Sequence, residues 1–283
     1  MKKFNFGEMN SLYIRRSTEP GLYLALTETE EDREEVVLLP NKYITSEMKV
    51  GQLVDVFLYF DSEDRPIATT LTPKVQLGEF AYLEVKETTQ FGSFVDWGLE
   101  KDLFVPFREQ KRKMIAGRHY IVFLYIDGQT DRLTGSAKLE QFFEVDKVKV
   151  NEGDKVSLLV WEHSDIGIKV IVNNCYKGLV YDDSVYEDVN IGDRKDGYVA
   201  KVREDKKLDI TFQAHGLRAI DVNTERILTA LKENEGYLPL NDKSSPDEVS
   251  TGLQMSKKSF KKAIGALYKG RQINIESDGI RLL

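Results

Sequence analysis

Through roughly the first three quarters of the chain, apolar residues fall in short segments rich in β-branched and aromatic side chains, bounded by Gly, Asp or Asn. FAYLEVKETT, FGSFVDWG, DLFVPF, YIVFLYID and RLTGSAK form one such series. DKVSLLVWEH, IGIKVIVNN, KGLVYDD, RKDGYVAKV and KLDITF form another. Little of this stretch carries a helical period, so the segments predict strands joined by tight turns. Five short strands in about 65 residues, with nothing to cover a flat sheet, are expected to close into a small barrel. One large β-sandwich is the alternative.

Internal repetition favours separate barrels. Residues 40–61 and 106–127 are identical at eight of 22 positions, at a constant offset of 66. The matches are Pro40/Pro106, Met48/Met114, Gly51/Gly117, Val56/Val122, Phe57/Phe123, Leu58/Leu124, Tyr59/Tyr125 and Asp61/Asp127. Ordinary residue frequencies give roughly one or two. A third, fainter copy runs from about Gly153 to Phe212: Gly192 and Gly197 keep the spacing of Gly51 and Val56, and Tyr181 precedes Gly192 by eleven as Pro40 precedes Gly51.

Past about Gly216 the period changes. NTERILTALKEN places Ile227, Leu228 and Leu231 at helical spacing. Ser245, Pro246 and Glu248 form a capping pattern for a second helix. A third starts at Ser256, gathers Phe260, Ala263, Ile264 and Leu267 on one face, and stops at Gly270. RQINIE and GIRLL then read as a hairpin, so the module is a winged helix. The predicted fold is mostly β and multi-domain, with barrels over 1–74, 75–145 and 146–216 and a small α+β winged helix over 217–283.

Composition narrows the chemistry. With 41% hydrophobic and 31% charged residues, the 283-residue chain suits several small folded domains. No run approaches the roughly 18 apolar residues of a membrane helix, and MKKFNFGEMN has no apolar core behind its lysines. Cys175 is the single cysteine, and His119, His163 and His215 sit in unrelated contexts. No disulfide, metal or cofactor is therefore expected, and the lone thiol fits a reducing cytoplasm. The net charge of −7 confines any nucleic-acid surface to a local patch. One such patch is the outer face of the third predicted helix. Lys257, Lys258, Lys261, Lys262 and Lys269 line it, Arg271 lies just beyond, and no acidic residue occurs between Ser256 and Asn274. The acidic run from Glu28 to Glu35 reads as a solvated loop that repels RNA, which leaves the first barrel as a scaffold or protein contact.

The stretch from Gly78 to Phe107 resembles the RNA-binding repeat of the large ribosomal protein S-one, an OB-fold barrel. In the second copy Phe91, Gly92, Phe94 and Val95 match that family's aromatic–Gly–x–aromatic–Val strand, while Asp127 and Arg132 match its closing Asp and Arg with one extra turn residue. Val105 stands at its His position. In the third copy Tyr181 holds that position, Ile166 and Lys169 replace the aromatics, and Lys207 replaces the Arg. The first copy keeps Tyr23, Asp61 and Arg65. The resemblance implies RNA contacts at Phe91, Phe94, Arg132, Tyr181 and Lys207, joined by Lys155 and Lys169. Exposed aromatics stack unpaired bases, and cations meet phosphate. Strict alternation sets Phe91 with Ser93 and Val95 on one face and Phe94 on the other, so an outward pair requires a bulge at Gly92.

LNDKSSPDEV and MSKKSFKKAIGALYKGRQI resemble the C-terminal end of the conserved virulence factor B family, which has three S-one-like repeats and a winged helix. This resemblance implies a bacterial RNA-binding regulator acting after transcription. Two alternatives stay open: a DNA-binding transcription regulator working through the winged helix, and an acidic protein-interaction scaffold. No GxxxxGK[ST], GxSxG, HExxH or paired-Cys motif occurs, so no enzyme is expected. Single-stranded RNA is the expected partner, with DNA as the alternative and no membrane partner.

Overall fold

The computed structural model describes residues 3–28, 35–185, 188–213 and 217–283, so most of the acidic run and His215 lie outside the described residues. The chain forms two compact units, Met1–Phe142 and Phe143–Leu283. In the first unit, β1 (Met9–Thr18), β2 (Gly21–Ala25), β3 (Val37–Pro40), β4 (Leu53–Phe60) and β5 (Pro66–Thr69) close into a barrel of order β1-β2-β3-β5-β4. Inward-pointing Leu12, Ile14, Leu24, Leu39, Val56 and Leu58 fill it, as the two-residue side-chain period of a strand requires.

The same five-strand plan returns as β6 (Phe80–Thr88), β7 (Gly92–Asp96), β8 (Leu103–Pro106), β9 (His119–Asp127) and β10 (Arg132–Ser136). Here the sheet runs β10-β9-β6-β7-β8 and no ladder joins β8 to β10. Side chains fill that seam instead: a Cβ at Gly135 would lie 2.8 Å from methyls of both Val105 and Val122. Sheet one and sheet two share no strand.

In the second unit, β11 (Lys155–Ser164), β12 (Gly167–Val172), β13 (Tyr176–Tyr181), β14 (Arg194–Val202) and β15 (Leu208–Thr211) again form a closed barrel. The three sheets agree in detail. Each first strand carries a register shift on its second-strand side, at Ile14/Arg16, Val85/Glu87 and Val160/Glu162, where an extra residue bends the strand into the barrel. Each third strand runs into a 3-10 turn, at Asn41–Tyr43, Phe107–Glu109 and Asp182–Ser184.

The winged helix follows, with α1 (Leu217–Glu233), β16 (Tyr237–Leu238), α2 (Pro246–Leu253), α3 (Lys257–Lys269), β17 (Ile273–Ile275) and β18 (Ile280–Leu282). Ile227 and Leu231 of α1 pack on Phe260, Ile264 and Leu267 of α3. The wing has one more strand than the hairpin read from sequence, because β16 pairs with β18. Ser245 caps α2 as its sequence pattern predicts: its hydroxyl accepts from the Glu248 N–H at 3.2 Å and its own N–H donates to the Glu248 carboxylate at 2.6 Å. Ser245→Ala should destabilise this module by about 1 kcal/mol. An unchanged melting curve would show the cap to be energetically idle.

Barrels one and two share a core. Phe57 and Tyr59 point outward from β4, and their rings meet the edge of Trp97 at 5.6 and 6.2 Å. The repeat places Phe123 and Tyr125 at the equivalent positions of β9, and there Phe142 covers them at 4.1 and 5.3 Å. One duplicated pair of outward aromatics has thus acquired two different covers.

Candidate nucleic-acid interface

A glycine opens the second strand of every barrel. Built on Gly21, Gly92 or Gly167, a Cβ would lie 2.1, 2.5 or 2.1 Å from a carbonyl oxygen of the third strand. At Gly92 it would also meet the Phe104 ring at 2.8 Å, so the glycine lets that ring settle against the strand. Phe94 faces Phe104 across the β7–β8 ladder, with ring centroids 5.1 Å apart. At the matching positions barrel one has Tyr23 and Leu38, and barrel three has Lys169 and Leu179. Only the second barrel presents two rings there.

Phe91 and Phe94 both reach the outside, but without the bulge at Gly92 that alternation demanded. Phe91 lies in the turn before β7, where strand alternation does not apply, and is 68% exposed. The irregularity is on the partner strand, at Lys86. The ladders also move the family's His position. Gly92 pairs with Pro106 as Gly167 pairs with Tyr181, so Pro106 is the equivalent residue, and Val105 fills the barrel core.

Phe91, Phe94 and Phe104 border a cleft of about 960 Å³ whose lining takes in residues of both β8 and β10. Barrel one contributes Tyr59, Phe60 and Asp64 to the opposite wall. Three cations reach it, and each has an anionic partner. Arg132 pairs with Asp64, not with Asp127, because the extra turn residue carries it away; Lys101 reaches Asp64 at 3.3 Å and the Asp61 carbonyl at 2.7 Å; Arg108 pairs with Asp127. The Trp97 indole N–H donates to the Lys101 carbonyl at 2.6 Å and so fixes the turn that presents Lys101 and Asp102. Phe104, Arg108, Lys101 and Asp102 were not singled out from sequence. Phe104 was detectable in principle, lying two residues before the repeated Pro106.

Among the described residues, each cation expected on barrel three is held by a carboxylate of its own. Lys155 pairs with Asp196 at 2.7 Å, Lys169 with Glu162 at 2.8 Å and Lys207 with Asp205 at 2.8 Å. Lys169 also lies 5.7 Å from the Trp161 ring centre, and Tyr181 meets the Arg203 guanidinium at 5.9 Å. Arg203, at the position of Asp61 and Asp127, was missed because the repeat predicts an acid there. It pairs with Asp209 at 2.7 Å. On α3, Lys258, Lys261, Lys262 and Lys269 are exposed, as is Arg271, and none meets a carboxylate among the described residues. Lys257 is half-buried in the first turn. Tyr268 adds an exposed ring to this helix. Among the described residues no cluster suits a metal ion, and no helix is long and apolar enough to cross a membrane.

Comparison with known proteins accords with this architecture. An S1 domain model matches residues 6–71 and 77–138, and a CvfB-like winged helix domain model matches residues 225–282. Both are binding modules, not enzymes, of types that serve nucleic-acid recognition. The uncharacterized protein YitL of Bacillus subtilis (strain 168) is 27% identical over 282 residues, covering 96% of this chain and 91% of the relative. Conserved virulence factor B of Staphylococcus epidermidis is 29% identical over 244 residues, 83% of this chain and 82% of the relative. A crystal structure of a multidomain protein with nucleic acid binding domains from Streptococcus pneumoniae is 24% identical, covers 98% of each chain and has a TM-score of 0.43. The chain thus combines S1 domains with a CvfB-like winged helix domain and is similar over most of its length to proteins named conserved virulence factor B.

Proposed function

We propose that this chain binds single-stranded RNA and regulates gene expression after transcription in the bacterial cytoplasm. The observation that carries the reading is the cleft of barrel two, where three phenylalanine rings open beside Arg108 and Arg132. Unpaired bases expose faces to such rings, whereas a duplex keeps its bases stacked on one another. Phosphates are the natural competitors of Asp64 and Asp127 for the two guanidinium groups. The cations of α3, which meet no carboxylate among the described residues, supply a second, sequence-independent contact.

Fluorescence anisotropy with single-stranded RNA, single-stranded DNA and duplex DNA, across a salt series, tests the reading. Single-stranded RNA should bind most tightly. Replacing Lys261 and Lys262 with Ala should flatten the plot of log affinity against log salt by about 0.7 per lost contact. An unchanged slope would mark that face as solvation alone. The basic third helix of a winged helix also suits a DNA major groove. Tighter binding of duplex DNA, weakened by the same lysine changes, would move the function to transcription.

A further inference from the structure

The charged groups of the barrel-two cleft leave one member over. Its three cations are satisfied by Asp64, Asp127 and the Asp61 carbonyl, whereas no donor among the described residues meets the carboxylate of Asp102. Asp102 is half-buried just before β8. It lines the same cleft as Phe94 and Phe104, two residues before Phe104 in the chain. Its neighbour Asp96 is already engaged by Lys74 at 2.7 Å. Burial, and then the Asp96 carboxylate, raise the Asp102 pKa above the usual range, as befits an acceptor with too few donors.

We infer that the cleft selects guanine, Asp102 accepting hydrogen bonds from N1–H and N2–H of a base stacked on Phe94 and Phe104. An ionised carboxylate has two oxygens and no donor. Guanine is the one standard base whose pairing edge offers two adjacent donors to match them. Adenine and cytosine each present an amino group beside a ring-nitrogen acceptor, and uracil presents one N–H between two carbonyls, so each sets an acceptor against the carboxylate. A phosphate is repelled by Asp102, which makes it a reader of bases and not of backbone. The side chain acts by discrimination, because an unmatched buried carboxylate penalises the wrong base.

This inference rests on the single-stranded RNA reading, and the test separates the two. Labelled uridine oligonucleotides carrying one central G, A or C are titrated into the full chain. Wild type should bind the G-containing oligonucleotide about tenfold more tightly than the A- or C-containing ones. Asp102→Ala should bring the ratios to about one, and Asp102→Asn, whose carboxamide sets a donor beside an acceptor, should lose or reverse the preference for G, with the all-uridine affinity unchanged or raised by lost repulsion. Two neutral variants guard against a folding defect, and equal melting curves qualify each. Wild type without a preference for G, or folded variants that retain it, overturns the selection by Asp102 while leaving RNA binding in place. Failure of every oligonucleotide to bind overturns both readings.

Discussion

Replacing Trp97 with alanine should destabilise the first unit by about 3–5 kcal/mol and broaden or split its unfolding transition. Trp97 is 3% exposed and meets the outward rings of Phe57 and Tyr59, so its loss empties the core that joins barrels one and two. It also orphans the Lys101 carbonyl that its indole satisfies. Trp97→Phe keeps ring contacts and loses only the hydrogen bond and part of the volume, so it should cost less than half as much. Scanning calorimetry of the full chain gives the result. An alanine variant that melts with the wild-type profile would mean that the barrels are stable side by side without this contact.

Phe94→Ala should weaken single-stranded RNA binding by roughly 1–3 kcal/mol, about 5- to 150-fold, while leaving the salt slope nearly unchanged. Stacking contributes independently of counterion release, and this separates the ring from the lysines of α3. Phe94 is half-buried against Phe104 and outside the barrel core, so the cost in stability should fall well below the roughly 3–5 kcal/mol of a buried phenylalanine. Thermal melting run beside the titrations resolves the alternatives. An early-melting variant with normal affinity would make Phe94 a structural residue.

How much of this was legible beforehand depended on whether the signal was local. The strands, the constant offset of 66, the capping box at Ser245 and the four core positions of α3 are written in short-range periodicity, and the structure realises them. The placement of Phe91 was misjudged because alternation says nothing about a residue just before a strand. The missing ladder between β8 and β10, where side chains pack around Gly135, is set by long-range packing, and two-residue β16 forms only because β18 is there to pair with it. The cleft itself is least visible. Asp64, Asp102 and Arg132 lie far apart in sequence, and only the contact between two barrels brings them to one wall-to-wall space.

The shared core also has a history within each molecule. Barrel one can complete its ladders once Thr69 has been made, but Phe57 and Tyr59 find their cover only when Trp97 arrives in a folded second barrel, which ends near Ser136. Ribosomes add about 5–20 residues per second, so the nascent chain carries two uncovered aromatic rings for roughly 3–13 seconds. The first barrel therefore emerges sticky, at the stage when a second nascent chain on the same message is nearby. Slow synthesis between Thr69 and Ser136 would lengthen that exposure, and codon usage over this stretch bears directly on how much of the protein reaches its native state.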